Sequence, residues 1–167
     1  VERELSRTRI RHGVRGAGTP FRRVTEGVIN VIRRTPEAQA VTVDVDAADE
    51  ALVPVDETDL SEIMGNLVEN AARHARSSVK VALQVVDAQT TRVLVDDDGP
   101  GLDEELRGSM MRRGERLDTH AQGAGLGLAI VADILEAYGT ALSLAASPDG
   151  GLRASFVLYA SNLTERS

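Results

Sequence analysis

The sequence has no cysteine and no tryptophan, and only two tyrosines and two phenylalanines among 167 residues. Without cysteine there are no disulfides and no thiolate metal sites, and nothing points to an oxidising compartment. Four aromatics (Phe21, Phe156, Tyr138 and Tyr159) are too few for a platform on which nucleic-acid bases stack. Positive charge is not in surplus either. Lys and Arg number 19 against 26 Asp and Glu, a formal net charge of −7, which argues against nucleic acid as a partner. The longest apolar run, near Leu126 to Leu135, is interrupted by Asp133 and is too short to span a bilayer. No signal peptide is visible, and localisation is left to what precedes Val1. The first residue is Val rather than Met, as expected for a piece of a longer chain. What is present, 42% hydrophobic and 27% charged residues, suits one domain with its own core.

Residues 1–12 are charged and helix-permissive, and Gly13–Gly18 reads as a hinge-like linker. The expected organisation is therefore the end of a helix plus linker over 1–18, a domain over 19–160 and a tail over 161–167. Thr19-Pro20 predicts an N-cap and first-turn proline, followed by a helix with Phe21, Val24, Val28, Val31 and Ile32 on one stripe. Val41–Val45 alternates as a strand, and Leu52–Val55 is a shorter one with Pro54 at an edge or strand end. Asp59 with Glu62 predicts a capping box that opens a helix buried along Leu60, Ile63, Leu67 and Ala71. Strand patterns follow at Val79–Val86 and Thr91–Asp96, then an irregular polar stretch to Gly125. Gly127 to Tyr138 predicts a helix stopped by Gly139, and a hairpin turns around Ser147–Gly151. Strands come in pairs between helices. That order predicts a two-layer α/β sandwich with a mixed, mostly antiparallel sheet of about five strands on three helices.

Three constellations carry chemistry. Asn66, Asn70, Arg73 and His74 fall within an arc of about 100° on the helix after Asp59. A solvated polar face is the plain reading, but two Asn one turn apart cost helix stability without local gain. An amide oxygen suits Mg2+, and an Arg one turn on suits phosphate. Val95-Asp-Asp-Asp-Gly-Pro-Gly101 fits an acidic turn, a carboxylate cluster for a metal, or one Asp buried under a ligand. In the last case Gly99 and Gly101 let a group approach the backbone closely. Gly123-Ala-Gly-Leu126-Gly127 opens a helix and exposes N–H groups at its positive end, which makes an anion site. A Rossmann fingerprint needs a strand directly before the first Gly, whereas Thr119–Gln122 reads as loop, and no Walker A motif competes.

In order and spacing, these segments resemble the gyrase, Hsp90, histidine kinase and MutL type of ATPase. Asn66–His74 resembles the N-box, Asp97-Asp-Gly-Pro-Gly101 the first glycine box and Gly123–Leu128 the second. The match looks closest to sensor histidine kinases of the PhoQ-type branch. The resemblance implies a Bergerat-type ATP-binding domain. Asn70 would ligate Mg2+, Asn66 would support the phosphates and Arg73 would contact them, while His74 would lie beside adenine. Asp97, with Gly99 and Gly101, would accept from the adenine amino group. Arg113 or Arg116 and Gln122 resemble lid residues, and Gly123, Gly125 and Gly127 with Leu126 would form the lid hinge and helix start. Met111 stands where the family has a Phe anchor.

The resemblance also implies a γ-phosphate donated to a histidine on a dimerisation domain. None of His12, His74 and His120 looks like that acceptor, so this chain alone is not expected to label itself. A response regulator downstream follows from the same resemblance, as does an inner-membrane full-length protein of which this fragment is a cytoplasmic domain without direct membrane contact. Two alternatives stay open: an ATPase switch of the gyrase or MutL type, using Glu62 or Glu69, and a nucleotide-free interaction module of the same fold.

Overall fold

The computed structural model describes residues 18–105 and 124–160. The elements run β1 (Thr19–Pro20), α1 (Phe21–Ile32), α2 (Pro36–Gln39), β2 (Thr42–Asp46), β3 (Leu52–Val53) and α3 (Glu57–His74). They continue with β4 (Ser78–Asp87), β5 (Thr90–Asp97), α4 (Ala124–Ala137), β6 (Ser143–Ala146) and β7 (Leu152–Tyr159). Five strands form one sheet in the order β2-β4-β5-β7-β6, while β1 and β3 make a separate two-stranded piece. Only β2 and β4 run parallel; the other three pairs are antiparallel. The parallel pair needs a long crossover, and α3 is its helix. The architecture is the two-layer sandwich expected from the order of patterns.

Strand periodicity decides which face is buried. Along β7, Leu152, Ala154, Phe156 and Leu158 are buried, while Arg153, Ser155 and Val157 between them are only partly covered. Central β5 is buried continuously from Val93 to Asp97. The core that results joins Phe21, Leu60, Ile63, Leu67, Val131, Leu135 and Phe156 in one cluster. Each such side chain contributes about 1.5–3 kcal/mol by leaving water.

Several boundaries differ from the sequence expectation, each for a tertiary reason. Thr19 and Pro20 pair with Val53 and Leu52 as β1, so Pro20 is itself the extended N-cap of α1. The Thr19 hydroxyl donates to the Val55 carbonyl instead of capping the helix. Ile29, not Val31, joins the buried stripe of α1, and Val31 is 66% exposed. Strand β3 stops at Val53, before Pro54, and pairs with β1 outside the five-stranded sheet. Helix α3 starts one turn before the expected capping box. Asp56 is the N-cap, and its Oδ1 accepts from the N–H groups of Thr58 (2.9 Å) and Asp59 (3.4 Å). Helix α4 opens at Ala124 rather than Gly127 and ends at Ala137. Gly139, at φ +72°, takes the left-handed turn that stops it.

Candidate nucleotide site

The three consecutive aspartates at the end of β5 do three separate jobs. Asp96 receives a two-pronged bond from Arg153, with Nε and Nη2 each 2.7 Å from a carboxylate oxygen. Asp98 accepts from the backbone N–H groups of Arg76 (2.8 Å), Ser77 (3.0 Å) and Ser78 (3.1 Å), and from the Ser77 hydroxyl. These donors hold its carboxyl well below the usual carboxylate range and staple the α3–β4 loop to β5. Asp97 is 2% exposed. Its Oδ1 accepts from the N–H groups of Gly99 (2.9 Å) and Leu152 (3.2 Å), and its Oδ2 accepts from no described residue. Burial pushes the Asp97 carboxyl above its ordinary 3.8, and those two N–H donors and His74 pull against that shift. The carboxylate-cluster alternative is thereby corrected: among the described residues no three His, Cys, Asp or Glu are grouped to hold a metal.

Glycines close this end of the site. A Cβ on Gly99 would overlap the His74 carbonyl, and one on Gly151 would overlap both Oδ1 and the carbonyl oxygen of Asp97. Gly101 is at φ +72°, and its Cβ would lie 3.2 Å from the carbonyls of Gly150 and Gly151. What approaches these glycines so closely is therefore the protein's own backbone, from the end of α3 and from the β6–β7 turn. That packing seats Asp97 under α3 and beside the hairpin.

Helix α3 supplies the opposite side. Asn70 is buried, and its Oδ1 has no hydrogen-bond partner, one of two such side-chain atoms among the described residues. An uncompensated buried amide oxygen is costly, so it marks a place for a ligand. Half-buried Asn66 donates Nδ2 to the Glu62 carbonyl at 2.8 Å. That bond leaves its Oδ1 against α4, where a Cβ on Gly127 would stand 3.0 Å away. His74 places Nδ1 2.8 Å from the Asn70 carbonyl. Arg73 is engaged with Glu69, its Nη2 3.1 Å from Glu69 Oε1 in an exposed pair. Leu126 is 61% exposed in the first turn of α4, and Gly125 lies within that turn. Arg113, Arg116, Gln122 and Gly123, with Met111, lie outside the described residues.

The structure thus brings together Asn70, His74, Gly99, Gly101 and Asp97 at one end, and Asn66 with Gly127 one turn along α3. Sequence reasoning missed Gly151 and the N–H of Leu152. The glycine pair 150–151 at the mouth of a strand was the available signal, since such glycines mark close backbone approach.

Buried Asp97 keeps one carboxylate oxygen free of described donors beside the orphaned Asn70 amide oxygen, under a glycine-bearing helix start, and on this two-layer sandwich that arrangement suits a nucleotide-binding ATPase domain. Residues 55–162 match the family of histidine kinase-, DNA gyrase B- and HSP90-like ATPases, and the chain belongs to that family. Within it the curated relatives that the chain resembles are sensor kinases, PhoQ among them. The chain is 46% identical over 106 residues to the sensor protein kinase CarS of Pseudomonas aeruginosa, covering 64% of this chain and 24% of that one. It is 27% identical over 163 residues to the virulence sensor histidine kinase PhoQ of Salmonella typhimurium, covering 93% and 33%. The solved mycobacterial sensor histidine kinase MprB matches with a TM-score of 0.72 at 25% identity, covering 84% of this chain and 96% of that one. The chain spans about a quarter to a third of the length of these curated relatives.

Proposed function

We propose that this chain is the Mg-ATP-binding catalytic domain of a two-component sensor histidine kinase. The observation that carries the reading is Asp97: both backbone donors sit on Oδ1, and Oδ2 is left as an acceptor in a buried wall. An adenine amino group is a donor that fits it, with His74 at the rim. Asn66 and the start of α4 at Ala124–Gly127 then face the phosphates, where N–H groups and the helix dipole favour negative charge. Arg113 or Arg116 and Gln122 would reach the same phosphates, and Arg73 joins them only by leaving Glu69. The unpartnered Oδ1 of Asn70 fits Mg2+ as a hard oxygen donor. When bound, that ion supplies neutralisation of phosphate charge. The chain's own residues contribute positioning and a fixed array of donors around the γ-phosphate.

In this reading residues 19–160 form the domain, 1–18 close a dimerisation helix and its linker, and 161–167 are a tail. The acceptor histidine lies on the protein's own dimerisation domain, with a response regulator downstream. Among the described residues no helix is long and apolar enough to cross a membrane; in the same reading the full-length protein sits in the inner membrane, with this domain in the cytoplasm. A hydrolytic switch would need Glu62 or Glu69 as its base, and Glu69 stands in an exposed pair with Arg73. Calorimetric titration with ADP and ATP, with and without Mg2+, together with incubation in γ-labelled ATP, tests the proposal. Binding without acid-labile self-labelling is expected. Rapid hydrolysis would support the switch, and no binding would support a nucleotide-free module.

A further inference from the structure

Helices α3 and α4 lie side by side through Leu60, Ile63 and Leu67 on one and Leu128, Val131 and Leu135 on the other, all in one buried cluster. Apolar packing of this kind is non-directional. It sets how closely the helices approach more than where one sits along the other. A directional tie is found at the end remote from the glycine-rich start. Tyr138, directly after α4 and 7% exposed, donates its hydroxyl to Asp59 Oδ2 at 2.6 Å. The same hydroxyl accepts from the Asp56 N–H at 3.2 Å. With a donor and an acceptor both engaged, its orientation is fixed. Asp56 is also the N-cap of α3, so the start of that helix and the end of α4 are built as one unit.

The other end of α4 meets α3 at Gly127, against Asn66. Tyr138 and Gly127 are eleven residues apart in sequence, about 16 Å of helix at 1.5 Å per residue. We propose that Tyr138, through its hydrogen bond to Asp59, sets the axial register of α4 on α3. It thereby positions the helix start that receives the phosphates. Tyr138 is a positioning residue and touches no ligand atom. The inference rests on the reading of the α4 start as the phosphate end of the site.

The test uses the 167-residue chain and its variants Tyr138→Phe, Asp59→Ala, Asp59→Asn and the double variant Tyr138→Phe/Asp59→Ala. Each is titrated with adenosine, with ADP and with ATP in the presence of Mg2+, below its own melting transition. Tyr138→Phe and Asp59→Ala are expected to weaken ADP and ATP by about three- to tenfold, the size of one lost hydrogen bond, and to leave adenosine unchanged. Asp59→Asn keeps an acceptor oxygen and should stay close to the parent. The double variant should be no weaker than Asp59→Ala. If Tyr138→Phe fails to fold, Asp59→Ala against Asp59→Asn carries the same comparison. Equal losses for adenosine and ADP would mean a merely structural contact and overturn the proposal, as would ADP affinity unchanged in both single variants. A parent chain that binds adenosine but gains nothing from the phosphates of ADP would overturn the site reading beneath it as well.

Discussion

Replacing Asp97 by Asn isolates the contribution of one oxygen atom. An asparagine offers one acceptor and one donor group, and two backbone N–H groups already claim the acceptor, those of Gly99 at 2.9 Å and Leu152 at 3.2 Å. Turning the amide over would cost both bonds and set NH2 against N–H, about 2–4 kcal/mol in all. The amide oxygen of the variant must therefore take the place of Oδ1, and its NH2 must point where Oδ2 pointed. An adenine amino group then meets a donor instead of a charged acceptor. Losing that charge-assisted bond costs about 1.5–3 kcal/mol, a roughly 10- to 150-fold rise in the Kd for ADP. Stability should move the other way. Burial raises the folded-state pKa of Asp97 above its ordinary 3.8, so its ionised form weakens the fold once pH has risen through that window. The Asn variant carries no such penalty and should unfold at the same or higher urea concentration at pH 7. Urea unfolding and ADP calorimetry on both proteins check the pair of outcomes. A folded Asn variant that binds ADP as tightly as the parent would leave Asp97 as a turn residue only. An unfolded variant would refute the hydrogen-bond assignment on Oδ1.

The β6–β7 turn yields a ranking. Gly151→Ala should destabilise by about 1–3 kcal/mol by overpacking against Asp97 and should also abolish ADP binding. Gly150→Ala, in open space at φ +101°, should show only the backbone strain of about 1–2 kcal/mol and keep its ligand; denaturation midpoints and calorimetry separate the two. Asp98→Ala should lose most stability near neutral pH, because the folded-state pKa of Asp98 is depressed. Its contribution is complete above the ordinary value of 3.8 and is lost as pH falls through the folded-state value. Melting curves of parent and variant should accordingly converge in strong acid, and curves that stay parallel would remove the charge from the account. ADP affinity of the parent should begin to fall at a pH above 3.8 as Asp97 takes up a proton, and the Asp97→Asn variant should lack that dependence in titrations at several pH values.

Much of this was legible in the residues, and the failures share one physical origin. The alternation of β7 and the glycine–aspartate spacing are local, so they survive reading one residue at a time. The cap of α3 was not legible, since Asp56 and Asp59 are both acceptable N-caps. The choice is made by Tyr138, 79 residues after Asp59, which takes the Asp59 carboxylate. Val31 and Ile29 are equally apolar, and which of them is buried depends on how α1 turns toward the core. Asp96, Asp97 and Asp98 are identical in type. Strand alternation separates Asp97 from its neighbours, but Arg153 and the 76–78 loop, which engage those neighbours, are remote in sequence. The Leu152 donor was silent, because every residue except proline carries an N–H and the side chain reads only as core.

Strand β7 is the last of the described strands in sequence but lies against β5 in the middle of the sheet. The second donor to Asp97 thus arrives 55 residues after the aspartate itself. While the polypeptide is being made, β5 can pair with β4 at once, yet one of its edges stays bare and the donor set of Asp97 stays unfinished until residue 152 has left the ribosome. Nucleotide therefore cannot template the early stages of assembly, and ligand added during synthesis should protect only chains that already extend past β7. A version ending at Ala146 checks this: it should show no gain in protease resistance from ADP. The donor pair on Asp97 is thus completed late in the growing chain, by the β6–β7 hairpin.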